Sequence, residues 1–152
     1  MEAILIETQK QLDTAFEIRK NVFIDEQGTP EEEEYDEFDS LKADAEHILI
    51  LDGEHAVGTG RWRVHDGYGK LERICILPSY RKQGIGNMIV HKLEELAANQ
   101  GVTKVKLHGQ VQAETFYHKL GYKTVSDVFM EDGIPHILMK KALSETFGTS
   151  HS

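Results

Sequence analysis

The chain has 152 residues, a formal net charge of −9 and a single cysteine. That length supports one domain with an adequate core, and a lone Cys75 excludes an intrachain disulfide and a cysteine-based zinc framework. No apolar run is long enough to span a bilayer, and the acidic balance disfavours nucleic acid, which binds through clustered cations.

The N-terminus, MEAILIETQK, lacks a basic region followed by a long apolar stretch. A secretory signal is therefore not expected, and the chain reads as cytoplasmic. Residues 3–7 read as a short strand. Thr8 and Gln11 have the spacing of a capping box that opens a helix. Leu12, Ala15, Phe16, Arg19 and Phe23 then share one face, with Arg19 expected to reach past the core edge. Gly28 and Pro30 should end this helix. Nine acids lie between Asp25 and Asp39 with no base among them, and without them acids and bases balance. Such a run is either a solvated loop or a surface that attracts a cationic amine. A second helix is left open within residues 31–42.

Residues 46–51 and 55–64 flank Asp52-Gly53, a hairpin signal. Asp66-Gly67-Tyr68-Gly69 turns the chain again into residues 70–76, which gives an antiparallel meander. Pro78 follows, and then a basic, glycine-punctuated loop enters an amphipathic helix. Ile85, Met88, Ile89, Leu93 and Leu96 recur on one face of that helix, and Gly101 suits its left-handed cap. Residues 102–108 form a strand parallel to 70–76, since a helical crossover joins the two. Residues 112–120 form a short helix closed by Gly121. Residues 122–130 and 135–141 form a last hairpin around Gly133. Residues 1–143 are expected to form the domain and 144–152 a frayed polar tail. The architecture is α+β: a central mixed, mostly antiparallel sheet flanked by helices.

The loop from Arg81 to Gly86 carries the strongest chemical signal. A helix N-terminus presents amides without intrahelical partners, the helix dipole favours an anion there, and glycines let a diphosphate approach the backbone. Gly86 is followed by Asn87 rather than Lys-Ser/Thr, so the loop is not a nucleoside-triphosphate P-loop. Ile89 stands where a dinucleotide fingerprint needs its third glycine. Arg81-Lys82-Gln83-Gly84-Ile85-Gly86 does fit Arg/Gln-x-x-Gly-x-Gly/Ala. A second stretch, Ala113-Glu114-Thr115-Phe116-Tyr117-His118-Lys119-Leu120-Gly121-Tyr122, follows at a characteristic distance. Together the two motifs resemble those of the GNAT N-acetyltransferase superfamily over residues 47–141. The opening Arg19-x-x-Val22-Phe23-x-x-Glu26-Gln27 is similar to one branch of small uncharacterised bacterial members.

The resemblance implies a GNAT-like fold and transfer of an acetyl group from acetyl-CoA to a small-molecule or peptide primary amine, by direct attack in a ternary complex. The scattered histidines form no H-x-x-x-H or H-E-x-x-H cluster, so no metal is expected; charge and hydropathy disfavour a nucleic acid or membrane partner, and exposed strand edges leave a homodimer open. The rival readings are a CoA-responsive module without transfer and an enzyme for longer acyl chains. For the cofactor, the resemblance implies backbone contacts from Ile74, Cys75 and Ile76. It also implies pyrophosphate contacts from Arg81, Lys82, Gln83, Gly84, Ile85, Gly86 and Asn87, and further contacts from Gln110 and Phe116. A bulge on the strand at 70–76 is also implied, since many members carry one there.

Tyr117 is the candidate acid for the leaving thiolate; the alternative is a core tyrosine on the stripe Ala113, Phe116, Tyr117 and Leu120. Glu72 is the candidate base, unless it pairs with Lys70 or Arg73. Glu26 and Phe23 are candidates for holding the acceptor. Gln110 alternatively caps a loop. His108 is an acid–base candidate or a structural histidine. Cys75 could carry an acyl group, although a cysteine between Ile74 and Ile76 is expected to be buried and inert.

Overall fold

The computed structural model describes residues 1–143. The tail expected at 144–152 lies outside the described residues. Strand β1 (Glu2–Leu5) leads into α1 (Gln9–Arg19), which opens on the Thr8–Gln11 capping box. The Thr8 hydroxyl accepts from the Gln11 amide at 3.2 Å, and the Gln11 side chain accepts from the Thr8 amide at 3.2 Å. The helix continues as a π-helical segment, Lys20–Glu26, and stops at Gly28, whose φ is +79°. Of the helix left open within 31–42, one turn forms: α2 (Glu31–Glu34).

Strands β2 (Glu46–Asp52), β3 (His55–His65) and β4 (Tyr68–Ile76) form the expected antiparallel meander. Helix α3 (Ile85–Asn99) crosses over to β5 (Lys104–Gln110), which runs parallel to β4. Then come α4 (Glu114–Lys119), β6 (Lys123–Thr124), β7 (Phe129–Glu131) and β8 (Ile134–Ala142). The sheet order is β1-β2-β3-β4-β5-β8-β6, with β7 also on β8, and every described pairing except β4 with β5 is antiparallel. The single strand expected over 122–130 is thus two. Between them the Ser126 hydroxyl accepts from the Leu138 amide at 2.8 Å, so a side chain replaces a ladder rung.

Both faces of the sheet are covered. On β2, Ile48 and Ile50 enter the layer under α3, while Leu49 enters the layer under α1. That follows from the period-two alternation of a strand. In α3, Ile85, Ile89, Leu93 and Ala97 are fully buried, and each of the larger three contributes about 1.5–3 kcal/mol of burial. Gly60 lets this helix lie close to β3: a Cβ there would stand 2.8 Å from Ile89 Cγ2.

The expectations for the charged residues need correction. Arg19 does not reach past the core edge; only 1% of its side chain is exposed. Its Nε donates to Glu34 Oε2 at 2.7 Å and its Nη1 to Asp39 Oδ1 at 2.6 Å. Arg61, also 1% exposed, donates to Asp36, Asp39 and Glu72. The acidic run is therefore not wholly a solvated or substrate-attracting surface: Glu34 and Asp39 turn inward as counter-ions of two buried guanidiniums. Removing one partner would strand a buried charge.

A break in β4 opens the fold. Thr59 pairs with Cys75 but Arg61 pairs with Glu72, so β4 carries one residue more than β3 across this stretch. This is a β-bulge, and Arg73 within it has φ +56°, a conformation disfavoured for a side chain of its size. The Arg73 guanidinium is held by the Glu34 carbonyl at 3.1 and 3.2 Å. The parallel ladder covers Gly69–Leu71 against Val105–Leu107 and goes no further. Beyond it β4 and β5 part.

Candidate active site

The parting of β4 and β5 creates a cleft of about 1110 Å³. Of the residues singled out in the sequence, all except Gln83 and Asn87 line it. One lip is β4 from Glu72 to Ile76, and the other is β5 at His108 and Gln110. The N-terminus of α3 and one side of α4 close two further walls.

At the phosphate-type loop, Lys82 has φ +64° and Gly84 has φ +80°. Gly84 is the N-cap of α3 and supplies no capping side chain. The first turn closes at Met88, whose amide donates to the Gly84 carbonyl at 3.3 Å. The amides of Ile85, Gly86 and Asn87 therefore have no acceptor within the helix and suit an anion. Gly86 also permits a close approach to α4, because a Cβ there would stand 3.0 Å from Phe116 Cζ. Arg81 is less available than its motif implies. Its Nη1 and Nη2 donate to both oxygens of Glu26 at 2.8 and 2.6 Å, and its Nε donates to the Ile76 carbonyl at 3.2 Å. Glu26, the candidate acceptor carboxylate, is occupied by the same pair.

Glu72 does not suit the role of base. Arg61 and Arg63 donate to its Oε1 at 3.0 and 2.9 Å, and Lys70 lies 3.0 Å from Oε2. Burial alone would raise its pKa, but Arg63, Arg61 and Lys70 outweigh burial and hold it at about 2. A carboxylate so strongly stabilised has little affinity for a proton at neutral pH. The alternative pairing with Lys70 is the one that forms.

Tyr117 sits at the base of the cleft in edge contact with Phe116 and Tyr122. Burial alone pushes its phenol up to about 12, so it stays protonated at neutral pH. Cys75 packs into the layer under α1, and burial pushes its thiol far up, away from the reactive thiolate. Its backbone remains as the part that can meet a ligand in the cleft. Gln110 bridges the walls, donating to the Gln27 side chain at 3.1 Å and accepting from Gln112 at 2.6 Å. Phe23 lines the cleft beside Glu26.

The sequence did not reveal a group gathered by β5, β7 and β8. His108 Nδ1 and Glu131 Oε1 are 2.7 Å apart, and His136 Nε2 is 3.7 Å from Glu131 Oε2. Phe129 packs edge-on against His108 and is stacked on His136. His136 Nδ1 is 2.7 Å from the Ile134 carbonyl, which can only accept, so that nitrogen carries the hydrogen. Glu131 falls within the turn that the sequence places around Gly133. Gly133, with φ +74°, folds the hairpin that returns Glu131 to His136. The sole sequence signal was His108 itself.

A family model described as an acetyltransferase (GNAT) domain matches residues 8–143. The chain belongs to the GNAT acetyltransferase family. Among its relatives, a Bacillus subtilis (strain 168) protein named as a candidate acetyltransferase is 56% identical over 136 residues, covering 90% of this chain and 92% of that one. The uncharacterized N-acetyltransferase YjcF of the same organism is 48% identical, covering 93% and 99%. A crystal structure of an acyl-CoA N-acyltransferase from Pseudomonas aeruginosa superposes with a TM-score of 0.82 at 25% identity, covering 93% of this GNAT chain and all of that one. The bulged β4, the splayed β5 and the uncapped α3 thus belong to a GNAT domain.

Proposed function

We propose that this GNAT domain transfers an acetyl group from acetyl-CoA to the primary amine of a small molecule or peptide, by direct attack within a ternary complex. One observation carries the reading: the uncapped N-terminus of α3 and the Tyr117 phenol border the same cleft. The amides of Ile85, Gly86 and Asn87 suit the pyrophosphate. The edge of β4 that β5 leaves open beyond Leu71 suits the amide-bearing pantetheine arm, which would add to it as a short strand. The acetyl thioester then lies towards Tyr117.

The phenol works best as a hydrogen-bond donor to the departing sulfur. A thiol has a pKa of about 8.5, so full transfer from a group near 12 costs about 5 kcal/mol. Donation without transfer stabilises the developing negative charge, and the amine supplies the proton. Cys75 is too deeply buried to carry the acetyl group, which favours direct attack over a covalent relay.

The test is release of free thiol from acetyl-CoA across a broad amine panel, with thermal melting run beside it. Acetyl-CoA should raise the melting temperature and at least one amine should accelerate thiol release. Stabilisation without transfer would favour a CoA-responsive module. Faster turnover with longer acyl-CoA would reassign the acyl group.

A further inference from the structure

We propose that His108 is the general base that deprotonates the acceptor amine, with Glu131 positioning its ring. The inference rests on the transferase reading above.

An amine reaches neutral water mostly as its ammonium and must lose a proton before it can attack. The cleft needs a group that takes that proton on the acceptor side of the thioester. Glu72, the first candidate, is neutralised by Arg61, Arg63 and Lys70. Glu26 is held by Arg81. His136 is buried, and its remaining nitrogen, Nε2, faces the Glu131 carboxylate at 3.7 Å rather than open cleft. His108 differs on each count. Its side chain is 29% exposed, and it borders both the main cleft and a charged side chamber of about 250 Å³. Histidine is the side-chain type suited to exchanging a proton at neutral pH.

Glu131 fixes which nitrogen does the work. The hydrogen bond from His108 lowers the Glu131 pKa, outweighing its partial burial, so the carboxylate is ionised and can only accept. His108 Nδ1 therefore carries the hydrogen that bridges to Oε1 at 2.7 Å, and the lone pair lies on Nε2. The edge-on contact with Phe129 limits rotation of the ring. Glu131 also stabilises the imidazolium once it forms, as a carboxylate does behind any histidine base. Glu72, Lys70 and Arg73 on β4, Glu33 on α2, and Asp132 beside Glu131 complete the charged surroundings of the chamber. His136 faces the same carboxylate from β8.

His108 Nε2 takes one proton from the ammonium, and the freed nitrogen pair forms a bond to the acetyl carbonyl carbon. The tetrahedral adduct collapses, breaking the carbon–sulfur bond with its electrons going to sulfur. The nitrogen gives up its second proton, which ends on the thiolate under the Tyr117 hydrogen bond. His108 then releases its proton to water. The products are an amide, coenzyme A as the thiol, and one proton.

The decisive experiment compares wild type and His108→Gln in thiol release from acetyl-CoA, with two kinds of nucleophile. One is the alkylamine that wild type uses fastest; the other is hydroxylamine, largely unprotonated at neutral pH. With the alkylamine the variant should lose about a hundredfold in kcat/KM, within the usual range for general-base catalysis. With hydroxylamine the loss should shrink towards none, and acetyl-CoA should stabilise both proteins equally. His108→Ala should regain rate on adding imidazole. Glu131→Gln should slow the alkylamine reaction, and Glu131→Asp should recover part of it. The proposal is overturned if His108→Gln or His108→Ala stays near wild-type rate with the alkylamine, or if both nucleophiles slow equally. A wild type that transfers to no amine overturns the transferase reading itself, and the base with it. A wild type that transfers while His108→Gln is unimpaired removes His108 alone.

Discussion

Replacing Glu72 by Gln separates a structural from a catalytic carboxylate. The Glu72 side chain is 8% exposed and receives Arg61, Arg63 and Lys70. Its pKa falls from 4.5 to about 2. That depression corresponds to about 3 kcal/mol of folding stability at pH 7. Because the folded-state pKa is the depressed one, this contribution is complete above pH 4.5 and disappears as pH falls through 2. About 1.4 kcal/mol of it remains at pH 3. Gln keeps the shape but cannot carry the charge. Urea unfolding should show Glu72→Gln less stable by about 3 kcal/mol at pH 7, with the gap narrowing by more than half at pH 3. The melting temperature should drop by about 6–12 °C. Below that melting temperature kcat should remain within about threefold of wild type, since the charge is bound to arginine rather than to substrate. A variant as stable as wild type but inactive would refute this reasoning and restore Glu72 as the base.

Further consequences concern the cleft and the buried ion pairs. Tyr117→Phe should lower kcat by about ten- to a hundredfold, the worth of one hydrogen bond to a charged sulfur, while leaving acetyl-CoA affinity unchanged in a binding titration. Gly86→Val should weaken acetyl-CoA binding about tenfold or more by crowding Phe116 and the α3 amides, with circular dichroism unchanged. Asp39→Asn should cost about 3–5 kcal/mol in urea unfolding, because Arg19 and Arg61 would share a neutral partner. Burial would raise the Asp39 pKa, but Arg19, Arg61 and the Asp36 amide hold it well below the usual range. The penalty should therefore be full at neutral pH and fade only in strong acid.

What the sequence disclosed was mostly local. The capping box, the stripe of α3 and the uncapped loop at Gly84 each depend on residues within a few positions of one another. The meander followed from Asp52-Gly53 and the turn at Gly67. What stayed hidden depended on separation. Arg19 meets Asp39 across 20 residues and Arg61 meets Asp36 across 25, and a pattern that assigns charges to the surface cannot foresee either. The bulge at Arg73 has no side-chain code, because it arises from how β3 and β4 share their ladder. The position of Glu72 and its pairing with Lys70 were legible, but Arg61 and Arg63, which reach it from β3, were not. His108 and Glu131 meet only through the register of β5, β8 and β7.

The central claim is that the bare amides at the start of α3 receive the diphosphate of coenzyme A and so aim the thioester at Tyr117. The most direct measurement is a titration of the isotopically labelled protein with coenzyme A, following backbone amide resonances. Saturable displacement should be largest at Ile85, Gly86 and Asn87, with Ile74 and Ile76 moving in the same concentration range. Binding that leaves those amides in place, or no binding at millimolar coenzyme A, would contradict the account.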